Sequence, residues 1–401
     1  MTCAETTLPA GSARSEIGRK ATLLMVATLT IMAGTAIAPS LPAIEMTFAD
    51  VDGVKLLSRM VLTLPALFVA FCAPLIGGLA DRYGRLRLLA GSILLYGFSG
   101  ISGLFVDSLP ALLVGRAALG IAIAGIMTLT TALVGDYFTG SERERYLGLQ
   151  QAFTGIGGVA FVAAGGLLAD YHWRAPFAIY AVAFAIIPAV VVFLTEPTRP
   201  TLNSQATPSL SDPAVRWLPV VALCALTFLV NLIFYFIPSQ VPFYLRAIGI
   251  TTASSTGFAI GLHNLVMAGS ALAYGRLRAR LSVPVIFVIG LCLMTLGFVL
   301  VAFSTTMPSV LLAMAIAGAG LGLTVPNLMS GIIALASPAT RGRLAGMVTA
   351  SMFIGHFTSP FASQPLIEAI GYQESYLVAG CGLAMLASVN AVIALNRRSK
   401  P

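Results

Sequence analysis

The sequence predicts an all-α membrane protein, with twelve transmembrane helices in two pseudo-symmetric six-helix bundles. Three observations predict it: apolar runs of membrane-crossing length recur along the whole chain, basic residues gather in alternate loops, and the second half repeats the punctuation of the first. Of the 401 residues, 58% are hydrophobic and only 9% are charged, a balance that fits no soluble class.

A bilayer core of roughly 30 Å takes about 20 apolar residues per helix. Runs of that kind occupy, in order, residues 21–44, 56–80, 86–106, 109–135, 146–169, 174–195, 217–245, 255–275, 283–304, 308–336, 344–366 and 373–395. The first follows Arg14, Arg19 and Lys20 and is too long for a signal-peptide core, so it is expected to be retained as a helix. With the amino terminus in the cytoplasm, every Lys and Arg except Lys55, Arg59, Arg116, Arg174 and Arg246 falls in a cytoplasmic segment. That is the positive-inside pattern, and it puts both termini in the cytoplasm. The net charge of +8 thus reflects topology, and nucleic acid is not an expected partner.

Residues 196–216 form the longest polar connection and contain Pro197, Pro200, Pro208 and Pro213, which reads as an extended cytoplasmic linker. It divides an amino-terminal bundle, 1–195, from a carboxy-terminal one, 217–401. Across it the chain matches itself at a constant offset of 198, pairing Gly77 with Gly275, Arg82 with Arg280, Pro110 with Pro308, Gly120 with Gly318, Arg143 with Arg341, and Gly148 with Gly346. Six helices, a linker and six related helices is the parallel repeat of transporters that hold substrate between their halves near the midplane.

Nothing points to catalysis. There are three histidines, His172, His263 and His356, and no HExxH, GxSxG or phosphate-binding Gly-Lys loop. The five scattered cysteines include no CxxC and suit packing better than a disulfide or metal site. No cofactor is expected, and ATP is not expected as the energy source.

Between the second and third runs the chain reads GGLADRYGRLRLL. Gly77 and Gly84 permit close approach and a sharp turn, and Asp81 can accept a helix N-terminus or an arginine. Through Gly77, Leu79, Ala80, Asp81, Arg82, Gly84 and Arg85 this loop resembles the signature motif of the major facilitator superfamily, and the resemblance extends over the full chain. It implies a conformational latch made of Gly77, Asp81, Arg82, Gly84 and Arg85, joined by Asp136, that holds the outward-facing state against the opposite half. The matching loop of the second half has Ala279 in place of Asp81. Arg116, with Gly120 four residues on, resembles the family's buried fourth-helix arginine, linked to proton coupling. In the fifth run Gly157, Gly165 and Gly166 resemble part of the drug-antiporter motif, but Phe161 and Val162 stand where its central Gly-Pro would be.

None of the 15 Asp and Glu residues lies well inside a run. Intramembrane carboxylates commonly carry protons or bind cationic drugs, so the candidates narrow. Proton coupling falls to Arg116, His263 and His356, with Glu45 at the outer end of the first run, and histidine titrates in the needed range. Polar residues at mid-run are costly in lipid. Gln151, Asn231, Tyr235, Asn264 and Asn327 are therefore the expected substrate-binding residues, accompanied by Gln150 and Gln240, while Pro238 and Pro242 are placed to bend the seventh helix.

The resulting expectation is a monomeric secondary transporter of a bacterial cytoplasmic membrane. It would export small lipophilic neutral or anionic molecules by alternating access, in exchange for protons. The alternatives are a proton-coupled uptake symporter or facilitator, favoured by the altered fifth-helix motif, and a non-transporting sensor on the same scaffold.

Overall fold

A computed structural model describes residues 10–197, 217–335 and 340–398. The helices are α1 (Ala10–Thr35), α2 (Leu41–Thr47), α3 (Val54–Tyr83), α4 (Arg85–Ile101), α5 (Leu109–Tyr137), α6 (Gly140–Tyr171), α7 (Val182–Phe193), α8 (Trp217–Phe234), α9 (Phe236–Ala247), α10 (Ala253–Arg278), α11 (Val283–Ala302), α12 (Met307–Leu335) and α13 (Arg341–Arg398). Among the described residues there is no strand. Among the described residues, eleven continuous stretches are long and apolar enough to cross a membrane. The last of them, in α13, folds back at Gly371, whose φ of 85° interrupts the helix and makes two crossings of one element, giving the expected twelve. Of the linker read over 196–216, only Glu196 and Pro197 are among the described residues.

Prolines set the breaks. The first crossing leaves the helix after Thr35 and re-forms through a 3-10 turn at Ala38–Ser40 into α2, because Pro39 has no N–H for the carbonyl of Thr35. Pro238 does the same to the seventh crossing, which breaks at Tyr235 between α8 and α9. The fifth crossing begins earlier than its apolar run, at Gly140, because the charged turn Glu142 to Arg145 continues the helix beyond the apolar zone. Leu75, Val114, Ile156 and Leu218 are exposed, as a lipid-facing surface requires.

The repeat is visible in the packing. A Cβ on Gly120 of α5 would lie 2.5 Å from the carbonyl oxygen of Pro65 on α3, and one on Gly318 of α12 would lie 2.3 Å from that of His263 on α10. Both partners are separated by the same 198 residues, so one glycine-mediated helix crossing occurs once in each half.

The halves meet at one end of the bundle and part toward the other. At the end remote from Gly84, here the far end, Arg59 Nε donates to Gln240 Oε1 at 3.0 Å, Lys55 pairs with Glu368 at 3.5 Å, and Asp170 on α6 accepts from the N–H of Ala253 at 2.7 Å. The α6–α10 contact continues inward as far as Gly155, whose Cβ would meet that of Ala268 at 3.2 Å. Toward the end carrying Gly84, the motif end, Cβ atoms on Gly148 and Gly275 would meet nothing within 4 Å among the described residues.

Candidate functional site

The motif loop is a helix break held by its own half. Gly84 takes φ 90° between α3 and α4, a conformation that favours glycine. Glu196 folds back over it, accepting from the N–H of Arg85 at 2.6 Å and of Leu86 at 2.9 Å, so a carboxylate covers the N-terminus of α4. Arg85 pairs with Asp136 of α5 and reaches the carbonyl of Ala132 at 3.3 Å. Gly77 faces Thr128 of α5, with 3.8 Å between a would-be Cβ and its methyl group. Arg82 is exposed on the last turn of α3, and the side chain of Asp81 lies outside the described residues. In this conformation the loop's described ion pair, Arg85–Asp136, joins two helices of the first half, and Lys20–Glu142 at 2.8 Å joins two more.

Midway along the bundle, the break at Tyr235 gathers a polar and aromatic cluster. Asn231 donates its amide to Thr227 O at 2.8 Å, which turns its oxygen toward His356 Nε2, 3.0 Å away. Nε2 therefore carries the proton, and Nδ1 remains an acceptor. The Tyr235 ring stacks on the imidazole at 4.2 Å, with Phe353 edge-on at 5.6 Å. Phe234 bridges to the second histidine, stacking on His263 at 5.8 Å. His263 Nδ1 lies 3.2 Å from Met314 O, while its buried Nε2 has no partner among the described residues. The Tyr235 hydroxyl reaches across to α1, 3.5 Å from a Cβ placed on Gly34. His356 keeps partial exposure while Asn231 is buried.

Five expected residues thus adjoin one another: Asn231, Tyr235 and His356 directly, with His263 beyond Phe234 and Asn264 next to it on α10. Asn264 is nearly buried and its amide faces Gly158 of α6, 3.9 Å from a would-be Cβ. Asn327 is occupied by Tyr274, 3.3 Å away, and by Leu323 O. Gln151 is exposed on α6 and does not join the cluster.

Arg116 does not meet either histidine. It is 1% exposed and donates to the carbonyls of Ser99 and Gly100 at 3.2 and 3.1 Å and to Tyr180 OH at 3.2 Å. Those carbonyls lie where α4 gives way to a 3-10 turn at Ser102–Leu104, and Ser99 O also accepts from Ser102 Oγ at 2.7 Å. Tyr180 in turn donates to Ala33 O at 3.0 Å, next to the Gly34 that Tyr235 approaches, so the arginine bears on the cluster through helix α1.

Arg59 is one of the basic residues that fall outside the cytoplasmic segments. It is buried, 1% exposed, paired with Glu45, bonded to Gln240, and stacked 3.6 Å over the ring of Phe243. Its position three residues inside the second run was the available hint; its partner 181 residues away was not.

Two bundles related by repeat, closed at one end over a polar cluster and parted at the other, define a membrane transporter. The chain matches the Major Facilitator Superfamily over residues 23–360 and again over 247–401, and it belongs to that family. It is 27% identical over 354 residues to the class C tetracycline resistance protein of Escherichia coli, spanning 84% of this chain and 87% of that protein. It is 24% identical over 375 residues to the bacillibactin exporter of Bacillus subtilis strain 168, spanning 86% and 90%. A D-xylose–proton symporter structure superposes with a TM-score of 0.77 at 16% identity, covering 95% of this chain and 97% of that one. The chain is a multi-pass secondary transporter for small molecules.

Proposed function

We propose that the protein exports small lipophilic molecules, neutral or anionic, across a bacterial cytoplasmic membrane in exchange for protons. It does so as a monomer with no cofactor, and with both termini and the Gly84 loop in the cytoplasm. The basic loops support that orientation, and it makes the present conformation open to the cytoplasm. The observation that carries the reading is the His356–Asn231–Tyr235 cluster, flanked by aromatic rings. No carboxylate enters its described contacts. A site of imidazole, amide and π faces accepts flat apolar bodies with a hydrogen-bonding edge and gives a permanent cation no counter-charge. The similarity to a tetracycline resistance protein and a bacillibactin exporter supports export.

For coupling, the two imidazoles of the cluster, His356 and His263, are the proton carriers of this reading, and Arg116 positions α1 beside them. Proton uptake from outside, with the far end open, and release to the cytoplasm, with the motif end open, would return the carrier after each molecule exported.

The test uses purified protein in liposomes with a lumenal pH dye and a panel of neutral, anionic and cationic lipophiles. Proton movement opposite to an added neutral or anionic compound is expected. Protons moving with the compound, or a labelled compound moving with no proton signal, would replace antiport by symport or facilitated diffusion.

A further inference from the structure

The far end is closed by two links that the internal repeat relates to each other. Asp170, in the last turn of α6, accepts from Ala253 N at 2.7 Å and Ser254 N at 3.3 Å, covering two of the unpaired donors that begin α10. Glu368, on α13 before its fold at Gly371, accepts from Gln364 Nε2 at 3.0 Å and pairs with Lys55 in the first turn of α3 at 3.5 Å. Adding 198 to 170 gives 368, and adding 198 to 55 gives 253. Each half therefore sends one carboxylate to the first turn of a helix in the other.

One turn deeper, the two seams differ. In the α6–α10 seam, Gly166 and Gly257 bring backbones together: a Cβ on Gly257 would lie 2.8 Å from Val162 O, and one on Gly166 2.9 Å from Ala253 O. The repeat-equivalent positions in the α3–α13 seam hold Gln364 and Arg59. Beside Gln364 lies a pocket of about 430 Å³ lined by Lys55, Leu56, Phe361, Gln364, Pro365 and Glu368. Arg59 turns away to α9, and the buried Gln364 Oε1 has no partner.

We propose that Asp170 and Glu368 form a pseudo-symmetric clasp closing the far end, and that the α3–α13 side of it is the side that releases. Three differences set that order. Lys55 and Glu368 form a single ion pair between half-exposed side chains, worth only about 0.2–1 kcal/mol, whereas Asp170, also exposed, accepts from two backbone N–H groups. Among the described residues, no glycine of α3 or α13 sits on the backbone of the other helix as Gly166 does on Ala253. Arg59 also keeps Glu45, on its own half, when it leaves Gln240, so no buried charge is stranded. The glycine seam then serves as the pivot, and the polar seam as the mouth through which cargo leaves.

The naming of the mouth as an exit rests on the export reading; the gate itself does not. Its test is therefore made without cargo or gradient, on full-length protein in lipid nanodiscs with the five cysteines replaced by serine. Spin labels at Asp50→Cys and Gln373→Cys span the polar seam, and labels at Tyr171→Cys and Thr251→Cys span the glycine seam; all four native residues are exposed. Glu368→Gln should raise the long-distance population of the first pair roughly two- to fivefold, the weight of one exposed ion pair. Gln240→Leu, which removes the cross-half acceptor of Arg59 and leaves Glu45 in place, should raise it about tenfold or more, as loss of a hydrogen bond to a charged group implies. Asp170→Ala should leave the second pair short. The proposal is overturned if neither variant lengthens the first pair, or if the second pair lengthens as much as the first. Failure of antiport in the liposome assay would leave these distances unchanged, so the two readings fail separately.

Discussion

The two ends of α3 are held in opposite ways. At its far end Lys55 and Arg59 reach residues of the other half, Glu368, Gln240 and Phe243. Just past its motif end, Arg85 is tied to Asp136, and the N-terminus of α4 is covered by Glu196 at the close of the first bundle. One helix 30 residues long, or about 45 Å, thus carries cross-half contacts at one extremity and groups satisfied within its own half at the other. A rotation that closes the motif end must pull Arg59 from Gln240. The motif reads as a latch between halves by resemblance, and in this conformation its described ion pair, Arg85–Asp136, lies within the first half.

The largest effect expected from disturbing this arrangement is at the glycine seam. Gly257→Val would drive a side chain into the backbone of α6 near Val162, with a cost on the order of 1–3 kcal/mol for overpacking. Transport should fall at least tenfold, and the melting temperature should fall with it. A smaller loss is expected for Arg59→Met: Glu45 loses its buried partner and Phe243 its cation, and the far end should open, read as faster labelling of Ser239→Cys by a membrane-impermeant maleimide. Ser239 is fully buried here, so labelling no faster than in the parent would deny Arg59 a role in closure.

At the opposite end the expected effects are kinetic. Asp81→Asn should leave insertion intact, because the arginines remain, yet slow transport severalfold by weakening closure of the motif end; normal rates at normal expression would remove the latch role. The smallest change is expected for Glu196→Gln, which keeps a hydrogen-bond acceptor over α4 but loses the charge at its N-terminus, a term of about 0.3–1 kcal/mol. It should speed amide exchange at Arg85 and Leu86 while leaving transport within about twofold.

What the sequence made legible was whatever depends on local length, charge and glycine or proline. The twelve crossings follow from the size of the bilayer, the turn at Gly84 from its neighbours, and the break at Tyr235 from Pro238 and Pro242. Side-chain direction was not legible. Gln151 and Asn231 are equally polar and equally within apolar runs, yet one is exposed and the other buried against His356, because packing decides which face of a helix turns inward. Arg59, Asp170 and Glu368 escaped for another reason. Each lies near a helix end, where a charge needs no explanation, and its meaning comes from a partner 83 to 313 residues away. The repeat offset found from Gly77, Gly120 and Gly148 also relates Asp170 to Glu368 and Lys55 to position 253, but only coordinates show that these positions touch.

The most direct test of alternating closure is a cysteine pair at Gly148 and Gly275, which face open space at the motif end of α6 and α10. Following the α6–α10 register inward from Gly155 and Ala268 brings these two opposite each other. In a cysteine-free background the pair should resist cross-linking at rest and cross-link during turnover; the cross-link should abolish transport, and reductant should restore it. A pair that never cross-links while transport proceeds, or that cross-links with transport unaffected, would contradict the account.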